Sequence, residues 1–252
     1  MNATQIDKLI VRKYATRLAM GQAAAQAVSE RITDLLQSKD TINMIFAAAP
    51  SQNEFLEALR SDNTIDWKRI NAFHMDEYVG LPEDAPQRFA NFLKLKIFDA
   101  MPFRAVHYLN GNAPDPAAEC TRYETLLNKM PADIVCMGIG ENTHIAFNDP
   151  HVADFNDTHL VKVVDLDMEC RQQQVNDACF AVLEQVPTHA LTLTVPALVR
   201  AAYIFCMVPG EKKANAVYHT LHEHIGERYP STILRTHGNA TLYVDADSAA
   251  RI

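Results

Sequence analysis

Short apolar runs recur along the chain, separated by longer stretches whose apolar positions repeat at helical spacing. Ile42-Asn-Met-Ile-Phe-Ala47, Arg69-Ile-Asn-Ala-Phe-His74 and Asp133-Ile-Val-Cys-Met-Gly138 each predict a strand. Their apolar residues do not alternate with polar ones, which marks a strand covered on both faces. Further strands are expected at residues 160–164, 190–195, 202–208 and 240–244. Residues 15–37 carry Leu18, Ala25, Val28, Ile32 and Leu35 on a helical repeat, and residues 51–59 open on the capping-box pattern Ser51-Gln-Asn-Glu54. Helical patterns also cover residues 89–100, 117–129, 168–183 and 213–221. The alternation predicts an α/β fold with a doubly wound, mostly parallel sheet and helices on both faces. No Pro/Gly/Ser-rich linker, repeat or low-complexity block divides the chain, so residues 1–252 are expected to form one domain.

In such sheets the binding crevice lies beyond the carboxyl ends of the strands. That rule favours the loops at residues 47–52, 75–79 and 138–150. Asp76 and Glu77 are adjacent at the end of the second strand and point in different directions, so only one needs to face the crevice. Exposed carboxylates are the norm, and the pair alone reads more readily as a solvated acidic turn. Residues 138–150 place Asn142, His144 and Asp149 within eight positions after a strand. A histidine oriented by polar neighbours is a usual unit for moving protons, although a loop histidine tied into turn hydrogen bonds gives the same pattern.

Charge and composition narrow the classes. The formal net charge of −8 argues against a nucleic-acid or anionic-membrane binder, which needs excess Lys and Arg. A few local cations can still hold one phosphate against that field. The five cysteines contain no C-x-x-C pair, and three of them sit in apolar runs, fitting core thiols of a reducing compartment. The N-terminus lacks the apolar stretch of a secretory signal, and no uninterrupted apolar window is long enough for a membrane span. A cytoplasmic location is therefore expected. His219-Thr-Leu-His-Glu-His224 invites a metal reading, but His224 would turn away from the other two and the H-E-x-x-H spacing is missing. No metal is expected.

Four segments together resemble the glucosamine-6-phosphate deaminase/isomerase family. They are His74-Met-Asp-Glu-Tyr-Val-Gly-Leu81, Leu109-Asn-Gly-Asn-Ala-Pro-Asp115, Gly138-Ile-Gly through His144-Ile-Ala-Phe-Asn-Asp-Pro150, and Val186-Pro-Thr-His-Ala-Leu-Thr192. They follow the family's order with similar spacing, over about residues 42–244. The resemblance implies a modified Rossmann-like fold and conversion of an amino-sugar 6-phosphate, gluco or galacto, to a ketose 6-phosphate and ammonia. It implies that Asp76 moves the proton between C2 and C1 and that His144 opens the sugar ring. Asn142 and Asp149 match positions that orient the histidine and contact the substrate. Ser51, Gln52, Glu77, Arg171 and Lys213 are the expected substrate contacts, with Lys213 at the family's phosphate lysine, Arg171 as a second cation and Lys212 as its fallback. No cofactor is required, because the substrate's own amine is the electron sink. The expected partner is a small sugar phosphate, with no nucleic acid and no membrane; assembly into a homo-oligomer is left open.

The chain departs from the family pattern at four places. Ala47-Ala-Ala-Pro-Ser51 stands where a Gly-Gly-Thr-Pro-like loop is usual, Asn142 where Asp is common, Thr143 where Gly is expected and Asp149 where Glu is common. Two rival readings share the fold: a 6-phosphogluconolactonase-type hydrolase and a non-catalytic sugar-phosphate sensor. The first has no need of a C2 base, and the second would have no reason to keep Asp76 and His144 together.

Overall fold

In the computed structural model, which describes residues 2–252, the chain begins with a hairpin, β1 (Asn2–Ile6) and β2 (Leu9–Lys13), before the first helix, α1 (Arg17–Leu36). There follow β3 (Ile42–Phe46), α2 (Asn53–Arg60), β4 (Ile70–His74), β5 (Asp76–Tyr78), α3 (Phe89–Leu93), β6 (Ala105–His107), α4 (Pro116–Lys129) and β7 (Ile134–Met137). The last third supplies β8 (Val161–Asp165), α5 (Met168–Asn176), β9 (His189–Leu193), α6 (Val195–Val199), β10 (Tyr203–Val208), α7 (Ala214–His222) and β11 (Ala240–Val244).

Eight strands form the main sheet in the order β1-β2-β11-β10-β7-β3-β4-β6, parallel throughout except for the β1–β2 hairpin. The pleat divides each apolar run between two cores. Met44, Phe46, Cys136 and Met207 face Met20, Ala24, Val28 and Phe55 of α1 and α2. Ile45, Val135, Met137 and Cys206 face Tyr123, Leu127, Leu198 and Val217 of α4, α6 and α7. Because both faces are covered, apolar residues do not alternate with polar ones along the runs, as expected of a doubly wound sheet. From β3 the chain winds outward through β4 and β6, then returns to place β7 on the other side of β3. The topological switch point lies between β3 and β7, and the crevice expected there opens beyond their carboxyl ends.

Several elements differ from the sequence expectation. The strands at residues 160–164 and 190–195 do not enter the main sheet. They form β8 and β9 of a separate antiparallel ribbon, β5-β9-β8. Lys162 and Asp165 interrupt the apolar pattern of β8, in which only Val161 and Val164 are buried. The helix at 51–59 starts later than its capping box. Pro50–Gln52 is a tight 3₁₀ turn, Ser51 caps nothing, and Glu54 pairs with Arg17 instead. The helix at 168–183 stops at Asn176, because Ala178 turns to φ +57°. The helix at 89–100 widens after Leu93 into a π turn over Lys94–Phe98. Leu18, placed on the buried repeat of α1, is 57% exposed. The hairpin β1–β2 and the short strands β5 and β6 were not expected at all.

Glu77 illustrates how β5 is secured. Its side chain is fully buried, with Oε1 accepting from the N–H groups of Tyr78 and Phe89 and Oε2 from that of Ala90. Phe89 and Ala90 open α3, so this carboxylate caps a helix from another segment, and Arg88 lies 3.8 Å from it. Burial raises its pKa, while these donors pull the other way. Glu77→Ala leaves two helix N–H groups without a partner. The loss should be about 3 kcal/mol, the upper range for a hydrogen bond to a charged group, read as a lower midpoint in urea unfolding. An unchanged midpoint would mean that Glu77 does not anchor α3.

Candidate active site

A cavity of about 420 Å³ opens beyond the carboxyl ends of β3, β4, β7 and β10, which are neighbours in the sheet. Residues 47–51 after β3, Met75 and Asp76 after β4, Gly138–Gly140 after β7 and Pro209–Lys213 after β10 form its wall. Phe89 and Phe147 add an apolar surface, while Gln173, Gln174 and Asp177 cover it from α5. The volume suits a hexose phosphate, within the usual range for small-molecule sites.

Asp76 lines this cavity and is nonetheless largely buried. Desolvation, reinforced by the neighbouring Glu77 carboxylate, raises its pKa well above the ordinary aspartate value. No Lys or Arg pairs with it among the described residues. Its position is fixed through backbone: β5 pairs with β9, setting Asp76 opposite Thr192, and the Leu193 N–H donates to the Met75 carbonyl at 2.8 Å.

The same ribbon strand holds the second chemical group. The Phe147 N–H donates to Thr192 Oγ1 at 3.0 Å, and Asn148 Nδ2 donates to the Leu193 carbonyl at 2.8 Å. These bonds fasten the loop that carries His144, so β9 links the Asp76 strand and the histidine loop in one frame. The imidazole lines the cavity with Nδ1 2.9 Å from Asp149 Oδ1. Asp149 is fully buried. Burial alone would raise its pKa, but His144, Asn142 and the Asp167 N–H together hold it below the usual value, so it is an anion. The ring is close to Asp149 but not aligned on it for a hydrogen bond; the nearby anion favours the tautomer with the proton on Nδ1, which leaves Nε2 to exchange a proton.

Asn142 connects both sides of this arrangement. Its Nδ2 donates to Asp149 Oδ1 at 3.0 Å and to Asp167 Oδ2 at 3.2 Å, while its Oδ1 accepts from the His144 N–H at 3.1 Å. The Asp more common here could not donate to either carboxylate. Asn is therefore the residue that fits a site where Asp167, the N-cap of α5, stands next to Asp149. Thr143 adopts φ +73°, an outlier for a β-branched residue, and its carbonyl is held by the Ser231 N–H at 2.9 Å. Strain is thus concentrated next to the histidine.

The cations are distributed differently from expectation. Lys213 lines the cavity and is only 7% exposed. Burial lowers its pKa, and the Asp177 and Glu141 charges partly restore it. Arg171 lies outside the lining. Its guanidinium donates to the Val186 and Leu183 carbonyls and ties down the chain after α5. Glu77 is the helix anchor described above. Gln52 is buried behind the wall, where Nε2 reaches Ser51 Oγ and the carbonyls of Met137 and Met207. Ser51 itself lines the cavity. Asn142 and Asp149 also stand outside the lining, holding His144 rather than reaching the cavity themselves. The sequence reading missed Arg17, Gln173, Gln174 and Asp177, which line the cavity from helices with no motif of their own.

The fold and this cavity define a doubly wound α/β protein whose cavity at the topological switch point is lined by a buried carboxyl and an imidazole. Residues 15–243 match the family of glucosamine-6-phosphate isomerases/6-phosphogluconolactonase, and the chain belongs to that family. It is 38% identical to a glucosamine-6-phosphate deaminase of Exiguobacterium sp. over 189 residues, 75% of this chain and 72% of that one. A glucosamine-6-phosphate deaminase of Bacillus cytotoxicus is 34% identical over 224 residues, 89% and 83% of the two chains. Among solved structures, a monomeric glucosamine-6-phosphate deaminase superposes with a TM-score of 0.87 at 27% identity, covering 96% of this chain and 99% of that one. A 6-phosphogluconolactonase of Thermotoga maritima shares the fold, with a TM-score of 0.77 at 20% identity over 94% and 100% of the chains.

Two substitutions test the geometry directly. A Cβ on Gly140 would lie 2.2 Å from His144 Cε1, so Gly140→Ala must displace the imidazole. A shift of this kind should lower kcat on the order of 10²-fold. A wild-type kcat would show that the ring needs no such fit. Asp76→Asn bears on stability. With the folded-state pKa raised, the unfolded chain ionises first as pH rises past about 4, and the native state is progressively disfavoured. The Asn variant escapes that penalty. Its Tm should exceed wild type at pH 7, with the gap closing below pH of about 4. A variant less stable than wild type at both pH values would contradict a desolvated Asp76.

Proposed function

We propose that the protein converts an amino-sugar 6-phosphate, most simply glucosamine 6-phosphate, to fructose 6-phosphate and ammonia. The observation that carries this reading is the desolvated carboxyl of Asp76 in the same cavity as a histidine held by a buried carboxylate. Hydrolysis of a lactone needs no carbon base, whereas aldose–ketose isomerisation does. The relatives named glucosamine-6-phosphate deaminase agree with it.

In this mechanism His144 takes the proton of the C1 hydroxyl through Nε2 and delivers one to the ring oxygen, giving the open aldehyde. Asp76 removes the C2 proton as O1 takes one from solvent, forming an enolamine. It then returns the proton to C1, which leaves a C2 iminium. Water adds to C2 and gives up a proton to solvent, the amine is protonated, and ammonia departs as the C2 hydroxyl loses its proton to leave the ketone. Asp149 remains an anion throughout and stabilises the imidazolium that forms when His144 carries the extra proton. Lys213 and Ser51 bind the phosphate. Gln52, Glu77 and Arg171 act by holding the wall, the α3 anchor and the cover in place.

Incubation with glucosamine 6-phosphate should release ammonia and fructose 6-phosphate in equal amounts, with no added metal and no loss in EDTA. Turnover of galactosamine 6-phosphate alone would change the sugar and keep the reaction. Hydrolysis of 6-phosphogluconolactone without ammonia from either amino sugar would overturn the reading. Asp76→Asn should reduce turnover by roughly 10²–10⁴-fold and abolish exchange of the C2 proton with deuterated water. His144→Gln should slow turnover of the cyclic sugar while preserving exchange in the open-chain fraction. The opposite exchange pattern would reverse the two roles.

A further inference from the structure

We propose that Arg17, in the first turn of α1, is a second cation of the phosphate subsite, acting with Lys213 on the 6-phosphate. This deepens the reading given above and rests on the substrate being a sugar 6-phosphate.

Three cations line the cavity: Arg17, Lys212 and Lys213. Lys212 is exposed and donates its Nζ to the Asn176 carbonyl, which ties α5 to the opposite wall. Arg171, the cation expected from sequence to fill this place, is occupied by the Val186 and Leu183 carbonyls. Arg17 differs from both. Its Nε donates to Glu54 Oε1 at 2.7 Å, and one Nη2 hydrogen goes to the Pro50 carbonyl. Nη1 and the second Nη2 hydrogen have no protein acceptor among the described residues. Two adjacent guanidinium donors are therefore available on a group already held in place, an arrangement suited to two oxygens of one phosphate.

The location favours the same role. Pro50 immediately precedes Ser51, so the guanidinium is braced against the Ala47–Ser51 loop that lines the cavity. α1 and α2 are in close contact there, since a Cβ on Gly21 would lie 2.7 Å from Glu54 Cβ. The Glu54 side of the clamp therefore has little room to move. Charge supplies the need. Lys213 is buried beside the field of Asp177 and Glu141, while Glu211 and Asp177 line the cavity. One such lysine cannot balance a dianionic phosphate among those carboxylates. An arginine, permanently charged and weakly hydrated, supplies the second positive charge.

The test is calorimetric binding of glucitol 6-phosphate and of glucitol to wild type, Arg17→Ala and Arg17→Lys. Wild type should bind the phosphate ester much more tightly than glucitol. Arg17→Ala should lose about 10–100-fold in affinity for the ester. Arg17→Lys, which keeps the charge but loses the paired donors and the Pro50 brace, should recover part of that loss. Equal affinity of wild type and Arg17→Ala for the ester would overturn the role of Arg17 and leave the sugar-phosphate reading intact. Equal weakness of the Lys and Ala variants would assign Arg17 to loop support alone, which also overturns the proposal. Failure of wild type to prefer the ester over glucitol would remove the sugar-phosphate reading, and Arg17's role with it.

Discussion

Pairing of β5 with β9 is the constraint on which the site depends. It sets Asp76 opposite Thr192 in a strand only three residues long, while β9 fastens the His144 loop through Thr192 and Leu193. Two groups separated by 68 positions in sequence are thereby referred to one rigid element. Without the ribbon, each would hang from a loop at a strand end, where positional freedom is greatest. The proposed reaction requires the base and the ring-opening group to meet one sugar, and rates fall steeply with small misplacements. The main sheet supplies the crevice, and the ribbon supplies the alignment within it.

Around that frame the site is built from opposed environments for like groups. Asp76 is desolvated and has no cationic partner among the described residues, so its proton is held more tightly than an aspartate's normally is. Asp149, equally buried, is surrounded by donors and stays charged. Two carboxyls driven in opposite directions by their surroundings give one base able to exchange a proton and one fixed anion that orients an imidazole. The departures from the family pattern fit this scheme. Asn142 donates to both Asp149 and Asp167, which an aspartate could not do without a proton of its own.

Much of this was legible in sequence. The apolar runs gave β3, β4, β7, β10 and β11 of the main sheet, and the strand-end rule ranked the loops after β3, β4 and β7 that line the cavity. Its failures have common physical causes. β8 and β9 contain apolar residues like those of the main strands, and nothing local says which sheet an apolar strand will join; that depends on the path of the intervening chain. Glu77 and Arg171 have the chemistry of substrate contacts, but local backbone donors and carbonyls claimed them first. Arg17 lay beyond reach for the converse reason. It stands alone near the start of a helix, and only the packing of α1 on α2 carries it to the cavity.

The fold withholds solvent from Asp76 and sets no cation against it among the described residues, which suits it to the proposed role of proton carrier. The most direct measurement is a ¹³C NMR titration of the Asp76 carboxyl in the intact protein, assigned by its loss in Asp76→Asn. The account predicts a midpoint clearly above the ordinary aspartate value of about 3.9, well separated from the exposed aspartates of the same spectrum. A midpoint at or below that value would mean that the carboxyl is solvated or ion-paired in solution, and the account of the site would be wrong.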